Sequence, residues 1–223
     1  MILLPVKTTD FVIQWKWEII KKTGGIMLVI KPYDRMHAQS YARRWALSRN
    51  PVFYNFDDVG GDCTNFVSQC LYAGSCVMNY TPTFGWYYIS EADRAPAWSG
   101  VEYLYNFLTQ NQGEGPFGIE ARPRDIEIGD IVQLGDSDGS YYHTLLICGI
   151  GRTDLLVCAQ TDDALDRRLS TYRFARARFI HIEGVRFESP DTSACFDTVY
   201  NGKGLVSEAA AMAEEDMTEE DFL

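Results

Sequence analysis

The spacing of hydrophobic positions changes period once along this chain. From Tyr33 to Leu47, "YDRMHAQSYARRWAL" returns Met36, Ala38, Tyr41, Ala42, Trp45 and Ala46 near helical spacing, which predicts an amphipathic helix. "SRNPVFYNFDDVGG" interrupts it, with Asn50-Pro51 and the pair Gly60-Gly61 as breakers. "DCTNFVSQCLYAG" then predicts a helix from about Cys63 to Tyr72, ended at Gly74. Residues 75–97 are aromatic and irregular. "WSGVEYLYNFLTQN" predicts a further amphipathic helix with Val101, Leu104, Tyr105 and Leu108 on one face, and "QGEGPFG" reads as a turn-rich break.

After that break the period becomes that of strands. "IGDIVQL", "YHTLLICGI", "LLVCAQ" and "RFIHIEGV" are short, apolar and rich in β-branched residues, with Gly and Asp between them. The second and third read as a hairpin around "GRTD". Helices followed by consecutive strands predict an α+β fold in which N-terminal helices pack on an antiparallel sheet.

A chain of 223 residues fits one domain with tails. We expect an N-terminal extension over 1–32, the domain over 33–186 and an acidic tail over 187–223. The net charge of −11 is mostly a property of that tail, where Glu208, Glu214, Glu215, Asp216, Glu219, Glu220 and Asp221 stand without a base. No basic cluster marks a nucleic-acid footprint, so nucleic acid is not expected as a partner. No apolar run is long enough for a bilayer, and the start lacks the pattern of a signal peptide. A membrane partner is therefore not expected, and the expected location is cytoplasmic. "TGGIM", Thr23 to Met27, has the form of a translated ribosome-binding stretch before a start codon, so Met27 is an expected start beside Met1; an added N-terminal helix is the other reading. Six cysteines without a secretory signal predict reduced thiols and no disulfide framework.

Chemistry enters at Cys63. Asp62 stands at the expected N-cap, and Cys63 falls in the first turn, where free N–H groups and the helix dipole favour a thiolate. Gly60 and Gly61 leave the approach open, and a backbone N–H there could donate to an oxyanion. Cys70 lies roughly 10 Å further along the helix, out of disulfide reach, and reads as core packing. No Cys-x-x-Cys occurs and His37, His143 and His181 are far apart, so no metal or other cofactor is expected. His143 opens a strand after a loop and suits a general base. Gln160, ending the next strand in "CAQTDD", or alternatively Asp162, would orient it. Asp62 and Asp162 also stand as possible orienting or oxyanion-shaping groups. Trp86, Tyr87 and Tyr88 could wall a substrate groove or pack over the helices. His37 reads as a surface or groove residue, His181 as a structural histidine.

"YARRWALSRNPVFYNFDDVGGDCTNFVSQCLYAG", "GWYY", "WSGVEYLYNFL", "GDIVQL", "YHTLLICG" and "CAQTDD", in this order, resemble the bacterial putative amidase domain family over roughly residues 33–183, a branch similar to the papain-like NlpC-type cysteine amidases. The resemblance implies a papain-like α+β fold and metal-free amide hydrolysis, with Cys63 as nucleophile and His143 as base. Many relatives carry His at the third position, where this chain has Gln160. The implied substrate is a peptide or amide, with cell-wall (peptidoglycan) fragments among the candidates. An inactive binding or scaffold module, or an acyltransferase using the same Cys-His pair, are the alternatives. The oligomeric state is not legible.

Overall fold

A computed structural model describes residues 28–188 and 195–205, with the backbone of Glu18 and Ile19. The expected start at Met27 and the acidic run from Val206 onward lie outside the described residues. The elements are β1 (Glu18–Ile19), β2 (Val29–Lys31), α1 (Arg35–Trp45), α2 (Cys63–Ser75), α3 (Pro96–Ser99), α4 (Val101–Gln110), β3 (Gly115–Ala121), β4 (Ile131–Gly135), β5 (Tyr141–Ile150), β6 (Leu155–Ala159), β7 (Ala164–Arg168), β8 (Arg176–Phe187) and α5 (Cys195–Tyr200). The order in the sheet is β1-β2-β8-β4-β5-β6-β7, with β3 on the other edge of β8, and the pairing is antiparallel throughout. This is the expected α+β architecture.

Alternation along the strands divides two cores. Ile131, Leu146, Cys148, Cys158, Ile180 and Ile182 join the helices. Val132, Leu134, Leu145, Ile147, Val157, Ala159 and Phe179 pack on the opposite side with Leu169. Strand β5 is buried on both faces, which is why "HTLLIC" reads as a continuous run rather than an alternating one.

Helix α2 is the axis of the molecule. Every residue from Cys63 to Ser75 is buried, and its polar groups are matched inside. Asn65 accepts from Trp98 Nε1 at 2.7 Å. Ser68 Oγ accepts from Trp86 Nε1 at 3.0 Å, and Gln69 Oε1 accepts from the Tyr41 hydroxyl at 2.7 Å. Each buried polar atom has a donor or acceptor, so the helix loses little by leaving water. Cys70 is fully buried in this core, as expected.

Two expectations about this helix are corrected. Gly74 does not end it. A Cβ there would stand 2.4 Å from the Tyr33 ring, so the glycine serves the close approach of α2 to Tyr33. The helix instead ends with Cys76 in the left-handed region at φ 52°. Cys76 is also not a free thiol: it is disulfide-bonded to Cys195, with Cα atoms 5.8 Å apart. The other four cysteines are free and buried. The bridge closes a sequence separation of 119 residues, and such a closure restricts the unfolded chain. It holds α5 on α1, where Trp45 Nε1 and Arg44 Nε donate to the Tyr200 carbonyl and His37 stacks on Phe196 at 3.6 Å.

The break expected at "QGEGPFG" is also corrected in part, because it contains the start of β3. This strand pairs with β8 from Gly115 to Ala121 across a bulge at Phe117/Gly118. A Cβ at Gly118 would lie 2.3 Å from the His181 carbonyl oxygen, so glycine is required there by the neighbouring backbone.

Candidate active site

Cys63 and His143 converge. They lie 80 residues apart, at the start of α2 and near the start of β5, yet both line an open cleft of about 500 Å³. Gly60, Gly61, Leu134, Tyr142, Thr161, Asp162, Arg167, Thr171, Tyr172 and Arg173 complete its walls. The two glycines adopt φ of 95° and 104°, a conformation that lets the loop turn into the helix beside the sulfur. Thr161, a β-branched residue at φ 77°, is held in a strained conformation opposite them. Its hydroxyl accepts the Asp62 backbone N–H, which ties the end of β6 to the start of α2.

Asp62 occupies the N-cap position without the capping bond expected of it. Its Oδ1 accepts instead from the Phe56 N–H at 2.8 Å and Asn65 Nδ2 at 2.9 Å. The residue thus fixes the loop before the helix rather than the helix N–H groups. Burial pushes its carboxyl above the usual range, opposed by these two bonds.

The thiol is not activated in the way its position alone suggests. Burial raises the Cys63 pKa; hydrogen bonds from the Thr144 N–H and from Thr64 pull it partly back. The Thr64 hydroxyl is 3.8 Å from Sγ and itself 2.9 Å from Thr144 Oγ1. The sulfur therefore sits against β5 one residue beyond His143. No hydrogen bond joins Cys63 to His143 among the described residues. Burial holds the His143 imidazole below its ordinary pKa; Asp162 opposes this and Arg167 adds to it. Burial thus disfavours the charged form of both groups.

Gln160 is buried, but its amide nitrogen donates at 2.8 Å to the carbonyls of Trp45 and Ser48, at the end of α1. Asp162 is in the cleft wall, 2.7 Å from Arg167 Nη1. Arg167 stacks over Tyr172 at 4.0 Å, and Tyr172 lies 6.0 Å from the His143 ring with its phenol pushed up to about 12 by burial. Buried side-chain atoms without a hydrogen-bond partner among the described residues include Asp62 Oδ2, His143 Nε2, Gln160 Oε1 and Tyr172 Oη. All four belong to residues in or beside this cleft. Two further such atoms, Asp57 Oδ1 and Arg178 Nη2, belong to residues outside the cleft lining.

Of the two readings for Trp86, Tyr87 and Tyr88, a groove wall or packing over the helices, the structure shows the packing. Trp86 is fully buried and Tyr88 is 4% exposed, both in the helical core, where Trp86 packs 4.9 Å from Trp98. Tyr87 packs against the same core from its edge. None of the three lines the cleft. The aromatic walls are Tyr142 and Tyr172, which sequence reading missed; the alternation in "YYHT" carried the signal for Tyr142. His181 is a structural histidine, as expected, with Nδ1 2.7 Å from Asp130. Among the described residues no group of His, Cys, Asp and Glu is arranged to hold a metal, and no helix is long and apolar enough to cross a membrane.

Residues 32–182 match the putative amidase domain. The chain belongs to that family. It is also 31% identical over 137 residues to the uncharacterized protein YhbB of Bacillus subtilis (strain 168), an alignment covering 59% of this chain and 42% of that protein. The chain thus spans less than half of that relative's length. No solved structure matches the chain.

Proposed function

We propose that this protein is a cysteine amidase or peptidase of papain-like, NlpC type, acting at the cleft shared by Cys63 and His143. The observation that carries the reading is their convergence on one cleft from different elements, within a family described as an amidase domain. Because burial raises the thiol and lowers the imidazole, the pair works by general base catalysis. His143 takes the Cys63 proton as the sulfur attacks the amide carbonyl. The Cys63–carbon bond forms, the C–N bond breaks, and the imidazolium returns the proton to the leaving amine. Water, deprotonated by His143, then releases the acid from the thioester. The Cys63 N–H, at the helix start, is the candidate oxyanion donor.

Gln160 and Asp162 support His143 in different ways. The unpaired Gln160 Oε1 and the unpaired His143 Nε2 are complementary, an acceptor and a donor. The Asp162 charge favours the imidazolium that forms during attack. Cell-wall-type peptides are the substrate class we favour.

Timed labelling with iodoacetamide near neutral pH, mapped by mass, tests the reading. Cys63 should be modified well before Cys70, Cys148 and Cys158, and substitution of His143 by Ala should slow Cys63 alone. Equal rates at all four thiols would remove the nucleophile.

A further inference from the structure

The cleft has a charge unlike that of the chain. Against a net charge of −11, the sequence between Asp166 and Glu183 holds Arg167, Arg168, Arg173, Arg176 and Arg178 and no acid. Arg167 and Arg173 line the cleft beside Cys63, against one acid, Asp162. Arg167 is already engaged: it pairs with Asp162 at 2.7 Å, donates to Thr171 Oγ1 at 3.1 Å and covers the Tyr172 ring.

Arg173 is built differently. The Tyr142 hydroxyl donates to its backbone carbonyl at 3.0 Å and so fixes this stretch of chain to the cleft wall. Its guanidinium has no ion pair among the described residues. Asp162 and Arg167 cancel each other, which leaves the charge of the exposed Arg173 as the surplus in a concave, open site. Such a site concentrates anions, and a planar guanidinium matches a carboxylate through two parallel hydrogen bonds.

We infer that the cleft takes an anionic substrate, in which the amide presented to Cys63 carries a nearby carboxylate that pairs with Arg173. This rests on Cys63 being the nucleophile, and it makes Arg173 a specificity-determining residue.

Iodoacetate and iodoacetamide test it, because both form the same sulfur–carbon bond with loss of iodide and differ in one negative charge. The quantity read is the ratio of their rates at Cys63 in the full chain, divided by the same ratio for free cysteine. A single fixed charge nearby should raise it by roughly three- to tenfold. The excess should shrink toward 1 M salt, where the Debye length is about 3 Å. Arg173→Gln should return the ratio to that of free cysteine. Arg168→Gln, which removes the same charge outside the cleft, should leave it in place. A wild-type ratio at or below that of free cysteine, or an equal fall in both variants, overturns the anionic subsite and leaves the nucleophile standing. Failure of both reagents at Cys63 overturns the amidase reading, and this inference with it.

Discussion

Asp130 and His181 form a centre in which the buried carboxylate is fully hydrogen-bonded. Asp130 is fully buried, and its carboxylate accepts from Arg35 Nη1 at 2.6 Å, the Ile182 N–H at 3.0 Å and the Glu127 N–H at 2.8 Å, with His181 Nδ1 at 2.7 Å. Arg35 reaches on to the carbonyls of Ile128 and Ile182. The centre joins α1 to β8 and the turn before β4. His143, two strands away in the same sheet, sits in the opposite condition. Its Nε2 is buried without a partner, as are atoms of Asp62, Gln160 and Tyr172 around it. His181 is partly exposed and hydrogen-bonded to a buried carboxylate, whereas His143 is buried with one ring nitrogen unpaired. Leaving a buried polar atom unpaired costs about 1–3 kcal/mol, so the second centre contributes less to stability than the first.

The comparison breaks most visibly at Asp130. Removing one member of a buried, hydrogen-bonded charge centre leaves the others exposed to an apolar interior, at about 3–5 kcal/mol. Asp130→Ala should therefore lower the urea midpoint by most of the protein's stability while leaving the chemistry of the Cys63 cleft untouched in the fraction still folded. A loss below about 1 kcal/mol by urea unfolding would mean that the network is ornamental and the contrast with His143 is empty.

The sequence made these two centres unequally legible. Helices α1 and α2 and strands β4, β5, β6 and β8 carried their own periodicity and were read directly. Strand β3 was not, because Gly115, Pro116 and Gly118 are locally turn residues; its strand state comes from pairing with β8 far along the chain. Strand β7 was missed because "ALDRR" is a polar edge. At the site, the placing of Cys63 and His143 was legible because a helix start and a strand start are local features. The commitments of Gln160 to Trp45 and Ser48 span 115 and 112 residues, and nothing local announces them. The aromatic run at Trp86 left two readings open for a related reason: composition marks apolar bulk but not which side of the wall it occupies. The Cys76–Cys195 bridge likewise has no local signature.

His143 offers the second way to sharpen the contrast. Replacing a buried, unpaired polar group by an apolar one of similar size removes a desolvation cost without breaking a bond. His143→Leu should stabilise the fold by about 1 kcal/mol in urea unfolding, whereas His181→Leu, which strips a partner from Asp130, should destabilise it. The same sign for both substitutions would show that the two histidines are alike after all.

The smallest effect is in the pH dependence of stability, and it follows from the same asymmetry. Burial holds the folded-state pKa of His143 below its ordinary value of 6.5. The unfolded chain takes up the proton near that value, while the folded chain resists it until lower pH. Below the unfolded pKa the unfolded state thus binds more protons, and stability falls as the pH falls through the window between the two values. Above that window the neutral imidazole makes no pH-dependent contribution. The slope from one such group is at most about 1.4 kcal/mol per pH unit. Unfolding free energies measured from pH 7.5 down to pH 5 should decline more steeply in the wild type than in His143→Leu. Parallel curves would mean that the His143 imidazole takes up its proton as readily in the fold as in water, and that the unpaired Nε2 in the cleft costs the protein nothing.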